Sequence, residues 1–356
     1  MTRQHLLSRR LAQQQITRHD FQSAGEVAAW MGATQAQDYA GAKWSLGLRL
    51  PGATDADIER AIAAREIVRT TSLRGTLHFL AAADVRWILK LVAPRVIARF
   101  AGPSRAAGLT EDDFARSTAA MARALEGGRL LSRAELLRAV SDGGVSTAGG
   151  RPNYLLYWAA LDGVICQGAR RGKEFTFALL DEWSPGGCAF EGEQAAAELA
   201  RRYFHSHGPA AVLDFAWWSG QSLTESRAAL RLVQDELESV ALDGITYWMP
   251  PAIAIDAGRD SEAHLLPGFD EHLLGYADRG AVIPDDQIKA LTPKNGIFSP
   301  LVAHGGRATG TWSRKIDRKS VAIETAPFAP WTETQGETVL IAAEKYRAFL
   351  TLSKAE

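Results

Sequence analysis

Two glutamines stand one residue apart in Ala33-Thr34-Gln35-Ala36-Gln37-Asp38-Tyr39-Ala40-Gly41. A side-chain amide donates and accepts without carrying charge, so such a pair can hold a water, a base edge or a developing positive charge. The spacing places Gln35 and Gln37 at the start of a helix that runs on through Lys43-Trp44-Ser45-Leu46. Neighbours at i and i+2 do not share a face of a regular helix. A turn entering the helix would instead aim both amides into one cleft; two solvated amides at a helix start fit the same residues.

The other chemistry-bearing groups are sparse. Asp270 and Glu271 follow Leu265-Leu266-Pro267-Gly268-Phe269, as an acid/base pair or as part of an ordered turn. His205-Ser206-His207 reads as the capped end of a helix rather than a metal site, and Cys166 and Cys188 match no zinc spacing. The chain has no G-x-S-x-G elbow, phosphate-binding loop or H-E-x-x-H helix. Neither a metal nor a cofactor is expected.

The 356 residues suit two to four modules, and 46% apolar content is that of a globular protein. No apolar run is long enough to span a membrane, and the N-terminus does not read as a secretory signal. A reduced, cytoplasmic, nucleoid-associated protein is expected. The net charge of −1 is uneven, with +7 over residues 1–110 and −7 over 191–262. A basic N-terminal third suits phosphates, and equally a solvated basic face.

A helix–helix–hairpin pattern recurs. In the first copy Thr54-Asp55-Ala56-Asp57 reads as a capping box, and Ile67–Thr71 and Thr76–Leu80 as strands around Leu73-Arg74-Gly75. In the second, Ser132-Arg133-Ala134-Glu135 opens a helix to about Val140. Asn153–Leu161 makes another, and Val164–Gly168 pairs with Glu174–Leu179. In the third, Pro209–Ser219 is followed by a helix from Thr224-Glu225, then by two β-like runs around Asp243-Gly244, the strongest short hairpin signal. Beyond it, Phe298–Ala303 and Ala308–Trp312 form a hairpin around His304-Gly305-Gly306-Arg307, and a helix from about Val339 to Leu350 closes the chain. The outline is α+β, with three tandem winged-helix modules at residues 1–106, 107–190 and 191–262, and a β-rich C-terminal region at 263–356.

Several segments together resemble the AlkZ-like DNA glycosylases, part of the winged-helix group that also contains YcaQ. They are Gln35-Ala36-Gln37 with Trp44-Ser45-Leu46, Arg74-Gly75-Thr76-Leu77-His78, and Gly208-Pro209 with Asp214–Gly220. Leu265-Leu266-Pro267 with Asp270-Glu271, and Thr311-Trp312 with Arg314, complete the set. They keep the family's order over nearly the whole chain. The resemblance implies a concave basic surface for duplex DNA and a catalytic Gln–aliphatic–Gln motif, filled here by Gln35 and Gln37. The YcaQ-type branch has Asp in the second place; here the acid, Asp38, falls one residue later. A DNA-probing hairpin maps onto Leu301–Thr311. A family stretch with a further basic residue matches Asp278-Arg279, but Ala277 holds that place here.

The implied reaction is excision of N7-alkylated purines, bulky adducts and interstrand crosslinks included. Such a base is already cationic and leaves readily, through an oxocarbenium-like sugar. The site must position a water and present a negative dipole end, tasks an amide oxygen performs without a buried charge. Gln37 is expected to orient the water and Gln35 to support it or the sugar. With only Lys43 beside the pair, a monofunctional enzyme is expected, without a lyase step. Arg307, Arg314, Lys315, Arg318 and Lys319 are the expected DNA contacts, with Arg74 and His78 on the first wing. Trp44, Trp217 and Trp218 are read as core. The expected partner is double-stranded DNA and the expected state a monomer, since no heptad seam is present. A non-enzymatic winged-helix regulator or a drug-sequestering resistance protein is the competing reading; strand scission at alkali-labile sites in alkylated DNA separates the two.

Overall fold

A computed structural model of the chain describes residues 1–251, 261–291, 296–317 and 320–350. The first part runs α1 (Arg3–Gln13), α2 (Ala24–Met31), β1 (Thr34–Gln35), α3 (Tyr39–Arg49), α4 (Asp55–Ala63), β2 (Ile67–Thr71), β3 (Leu77–Ala81) and the long α5 (Val85–Ala106). Next come α6 (Glu111–Leu125), β4 (Leu131–Ser132), α7 (Arg133–Asp142), α8 (Arg151–Leu161), β5 (Ile165–Gln167), β6 (Thr176–Leu179) and α9 (Leu180–Trp183). Capping boxes start α4 at Thr54/Asp57 and α7 at Ser132/Glu135, where side chains satisfy the free amides of the first turn.

The third stretch holds α10 (Gly192–His207), α11 (Val212–Ser219), α12 (Leu223–Val233), β7 (Glu238–Leu242) and β8 (Ile245–Met249). Its second helix starts earlier than expected, because Ser222 rather than Thr224 caps it and pairs with Glu225. Asp243 and Gly244 both take positive φ, 51° and 78°, as a two-residue hairpin turn requires. The last part contains β9 (Ala263–Leu266), α13 (Glu271–Leu274), α14 (Ile288–Leu291), β10 (Leu301–His304), β11 (Arg307–Ile316), β12 (Val321–Pro327) and α15 (Glu333–Phe349).

The first two hairpins do not stand apart. Their strands share one sheet in the order β1-β3-β2-β5-β6-β4, joined where Arg69 of β2 pairs with Gln167 of β5. The C-terminal strands form a second sheet in the order β12-β11-β10-β9. One core packs β2, β3 and α5 (Val68, Leu80, Trp87) against α10 and α11 (Tyr203, Phe215, Trp218). Another seats α15 on α3 and the C-terminal sheet, through Trp44, Trp312, Tyr346 and Phe349. Trp44 and Trp218 are core as expected. Trp217 is not: it is 45% exposed, with the Arg279 guanidinium 5.2 Å from its ring centre.

The hairpin expected over Leu301–Thr311 is present but does not project. Residues 301–303 of β10 are buried. At the tip, Gly305 carbonyl accepts from Gln4 Nε2 at 3.1 Å and Gly306 carbonyl lies 2.8 Å from His272 Nε2. The tip is thus anchored to α1 and α13, and only Arg307 turns outward. The exposed ribbon is the far end of β11 and β12, where Lys315 and Ile316 face solvent.

Candidate active site around the Gln-Ala-Gln strand

Gln35 belongs to a strand, not to the helix expected from the sequence. β1 pairs antiparallel with β3, Thr34 opposite Phe79 and Gln35 opposite His78, and Ala36 N–H continues the ladder to Leu77 carbonyl at 2.7 Å. The helix begins only after Asp38, its N-cap. β1 ends at Gln35 and Gln37 lies in the bend before α3, so the two amides are not alternate residues of one strand and meet different partners. The reason for the strand lies in Ala33 and Ala36: both are fully buried, and the strand ladder satisfies backbone groups that would otherwise be stranded there.

This short stretch is gripped at several points. Gln35 N–H donates to Glu271 Oε1 at 2.8 Å. Ala36 carbonyl accepts twice from Arg69, at 3.1 Å from Nε and 2.7 Å from Nη2. Gln35 Oε1 accepts from Arg74 Nη2 at 3.2 Å, and Gln37 Oε1 from Leu77 N–H at 3.3 Å. Arg74 and a backbone amide can only donate, so these contacts fix which end of each amide is oxygen. Gln35 is 8% exposed, whereas Gln37 lies at the surface. Gln37 lines a cleft of about 440 Å³ with Thr70, Thr76, Arg133, Asn153 and Tyr157, between the β2–β3 hairpin and α8.

Arg74 is not a free phosphate contact. It sits at the tip between β2 and β3 with φ 55°, a left-handed conformation that non-glycine residues rarely hold. Its guanidinium donates to Trp218 carbonyl as well as to Gln35, which holds the turn in place. Burial pushes it down from the usual arginine range, with the Glu271 charge pulling it back. Arg74 also borders a larger cleft, about 920 Å³, shared with Arg95, Arg99, Gln221 and Arg231. His78 is withdrawn altogether. It is fully buried, its Nδ1 meets Ser72 Oγ at 3.1 Å and Thr76 carbonyl at 2.9 Å, and burial followed by the Arg74 charge pushes it down to about 3. A neutral imidazole packed beneath the β2–β3 hairpin cannot contact DNA.

The remaining expected DNA contacts divide. Arg314 donates to Tyr346 hydroxyl at 2.7 Å and lies 3.8 Å from Asp38 Oδ2, so it tethers Asp38 rather than standing free. Arg307 and Lys315 are exposed. Arg318 and Lys319 lie outside the described residues.

Asp270 and Glu271 do not form an acid/base pair, since they serve different partners. Asp270 makes a fully buried bidentate pair with Arg49, 2.8 and 2.9 Å, and also accepts from Ser45 Oγ and His272 N–H. Burial raises its carboxyl, but Arg49 and these bonds win and bring it down to about 2. Glu271 accepts from Gln35 N–H and, at 3.0 Å, from Trp218 Nε1. Burial raises it too; His207 at 3.5 Å and the Arg74 charge outweigh that and hold it ionised. Arg69 is the site residue that the sequence did not bring forward, while Glu271, expected in an acid/base pair or a turn, instead anchors the Gln35 backbone. The signal for Arg69 was an arginine directly after the apolar pair Ile67-Val68 in a predicted strand.

The sequence model of the DNA glycosylase AlkZ-like family matches residues 28–349. An interstrand DNA cross-link repair glycosylase of Streptomyces sahachiroi is 28% identical over 308 residues, 82% of each chain. The solved structure of the Streptomyces sahachiroi DNA glycosylase AlkZ superposes with a TM-score of 0.80 at 26% identity, over 99% of this chain and 97% of that one. With the family's match spanning the Gln-Ala-Gln segment, the β2–β3 hairpin that holds it and the carboxylate behind it, the chain belongs to the AlkZ-like DNA glycosylases.

Proposed function

We propose that the protein is a monofunctional glycosylase that excises N7-alkylated purines from duplex DNA, working as a monomer. In this reading residues 1–106, 107–190 and 191–262 are three winged-helix modules curved around the duplex. The cleft that Arg74 borders also carries Arg99 and Arg231, with Arg95 paired to Glu225 and Glu193 at its edge, so Arg99 and Arg231 are the cations it offers to a phosphate backbone. The observation that carries the reading is the clamped strand. A positioned group contributes to a reaction only if its own orientation is settled beforehand, and here backbone and amide atoms of the pair are settled from both sides.

Gln37 Oε1 uses one lone pair on Leu77 N–H and keeps the other for a water. That water adds to the anomeric carbon as the glycosidic electron pair leaves with the cationic base, which departs neutral; the water's proton passes to solvent. Gln35 plays a different part from the one expected. Its oxygen already accepts from the Arg74 cation, which disfavours a second positive charge beside it, so its amino group is the end suited to the substrate, toward a sugar or phosphate oxygen. The Streptomyces sahachiroi relative is named for repair of interstrand cross-links, which supports bulky and crosslinked adducts as substrates here. An open cleft carrying the exposed Gln37 needs no deep pocket for the base.

The test is single-turnover excision from a duplex with one N7-methylguanine. Gln37→Ala should lose about 100- to 1,000-fold in rate, with duplex binding unchanged. Gln35→Ala should lose less and weaken binding. Wild-type rates in both variants would remove the assignment.

A further inference from the structure

Arg69 lies in the middle of β2 with 4% of its surface exposed. Among the described residues no carboxylate lies within ion-pair distance of it. A buried charge without a counter-ion persists only where neutral dipoles replace its water. Two N–H groups reach the Ala36 carbonyl, and Nη1 donates to the Gln167 side-chain oxygen. The rings of Tyr39 and Phe175 stand 5.0 and 4.9 Å from the guanidinium carbon. Even so, burial pushes the group down to about 10, against the pull of Tyr39 and Asp38.

What this cation holds is specific. The Ala36 carbonyl belongs to the peptide whose N–H is Gln37's, so gripping it sets the plane from which the Gln37 side chain departs. The N–H of Ala36 is fixed at the same time by Leu77 carbonyl. On its far side the guanidinium is held by Gln167 of β5 and by Phe175, just before β6, both from the second hairpin. We infer that Arg69 is a positioning residue for excision, locking the peptide between Gln35 and Gln37 and tying it to the second wing. This rests on the glutamine pair acting as proposed above. Lysine cannot replace it: an ammonium is a point donor that neither spans two bonds to one carbonyl nor stacks between two rings.

The experiment compares wild type, Arg69→Lys, Phe175→Ala and Gln37→Ala in single-turnover excision at saturating enzyme, with duplex affinity and thermal unfolding measured alongside. Arg69→Lys should slow excision about 10- to 100-fold while affinity changes by less than about threefold. The buried ammonium, faced by Asp38, Tyr39 and Arg170, loses its proton more readily than in water. The ratio of Arg69→Lys to wild-type rates should therefore fall further from pH 7 to 9, which a purely structural defect would not produce. Phe175→Ala, at a 37% exposed position, should slow excision several-fold without lowering the unfolding temperature. The Gln37 amide resonance gives an arm independent of activity: it shifts in Arg69→Lys if the guanidinium grips that peptide, and staying put overturns the inference. So does a saturating rate within twofold of wild type in Arg69→Lys, or in Phe175→Ala should the lysine variant not fold. Slow Gln37→Ala beside wild-type rates in both other variants overturns the role of Arg69 alone. Wild-type rates in Gln37→Ala remove the role of Gln37 instead, and the resonance then decides for Arg69.

Discussion

Replacing Glu271 by glutamine separates the charge behind the site from its shape. The wild-type carboxylate offers one oxygen to Gln35 N–H at 2.8 Å and the other to Trp218 Nε1 at 3.0 Å. A glutamine has one oxygen, so one of these buried donors meets an amino group instead. An orphaned buried donor costs about 1–3 kcal/mol, and the bond that survives drops from charge-assisted to neutral, a loss of about 1 kcal/mol. Arg74 also loses the counter-charge that offsets its burial. The removed cost of burying a carboxylate works in the other direction, which puts the net destabilisation at roughly 2–4 kcal/mol. With an unfolding entropy of about 2.1 cal/mol/K per residue over 356 residues, that lowers Tm by roughly 3–5 °C. Excision should slow by about tenfold or more, since Gln35 loses its backbone anchor. Calorimetry and single-turnover excision on the same preparations read both effects. The pH dependence adds a sign. The Glu271 carboxyl is held below its ordinary value in the folded state, so its contribution is complete above pH ~4.5 and fades as pH falls through the folded value. The gap between wild type and Glu271→Gln should thus close on acidification. A variant within 1 °C and twofold of wild type at pH 7 would refute the reasoning.

Two further outcomes follow from the same packing. Gly75 holds φ +83° in the Arg74 turn, and a β-carbon there would stand 2.6 Å from Tyr157 hydroxyl, so Gly75→Ala should cost roughly 2–4 kcal/mol in denaturant unfolding. Gly52→Ala, with φ +84° and nothing within 4 Å, should cost only about 1–2 kcal/mol, and equal losses at both sites would deny the contact. Burial first, with nearby cations or other histidines adding to it, pushes His78 and His264 down to about 3 and His272 to about 4, so the unfolded chain binds their protons at ~6.5 while the folded chain stays neutral. Stability should fall as pH drops below ~6.5, by up to about 4 kcal/mol per pH unit from these three groups; Tm unchanged from pH 7.5 to 5 would contradict this.

Local signals were legible wherever a few neighbouring residues decide the backbone. The Thr54/Asp57 and Ser132/Glu135 boxes start helices where they stand, and Asp243-Gly244 turns a hairpin, because each satisfies its backbone groups within four residues. The Gln-Ala-Gln stretch went the other way because its partners are remote in sequence. β3 lies some forty residues on, Glu271 is 236 residues from Gln35, and no window around Gln35 contains the ladder that makes it a strand. The hairpin at His304–Arg307 was legible as a turn, while its anchoring by Gln4 and His272 was not.

The same distinction explains which charged residues were misplaced. An arginine or histidine in a wing sequence reads as a DNA contact because wings commonly face the duplex, and for exposed Arg307 and Lys315 nothing in the structure opposes that. His78 is buried and Arg74 half-buried, and their sequence neighbours Leu73, Phe79 and Leu80 carry the explanation: a hairpin flanked by such residues packs inward on both sides, against α11 and β1. A cation placed there has lost its water and must be used for orientation, since a phosphate could reach it only by breaking the bonds to Trp218 and Gln35. The site therefore has two tiers of cations with different duties. In the proposed function, surface arginines and lysines would set affinity and its salt dependence, while Arg69 and Arg74 would hold the geometry of two uncharged amides. Salt should weaken binding through the first tier and leave the saturated excision rate, governed by the second, nearly unchanged.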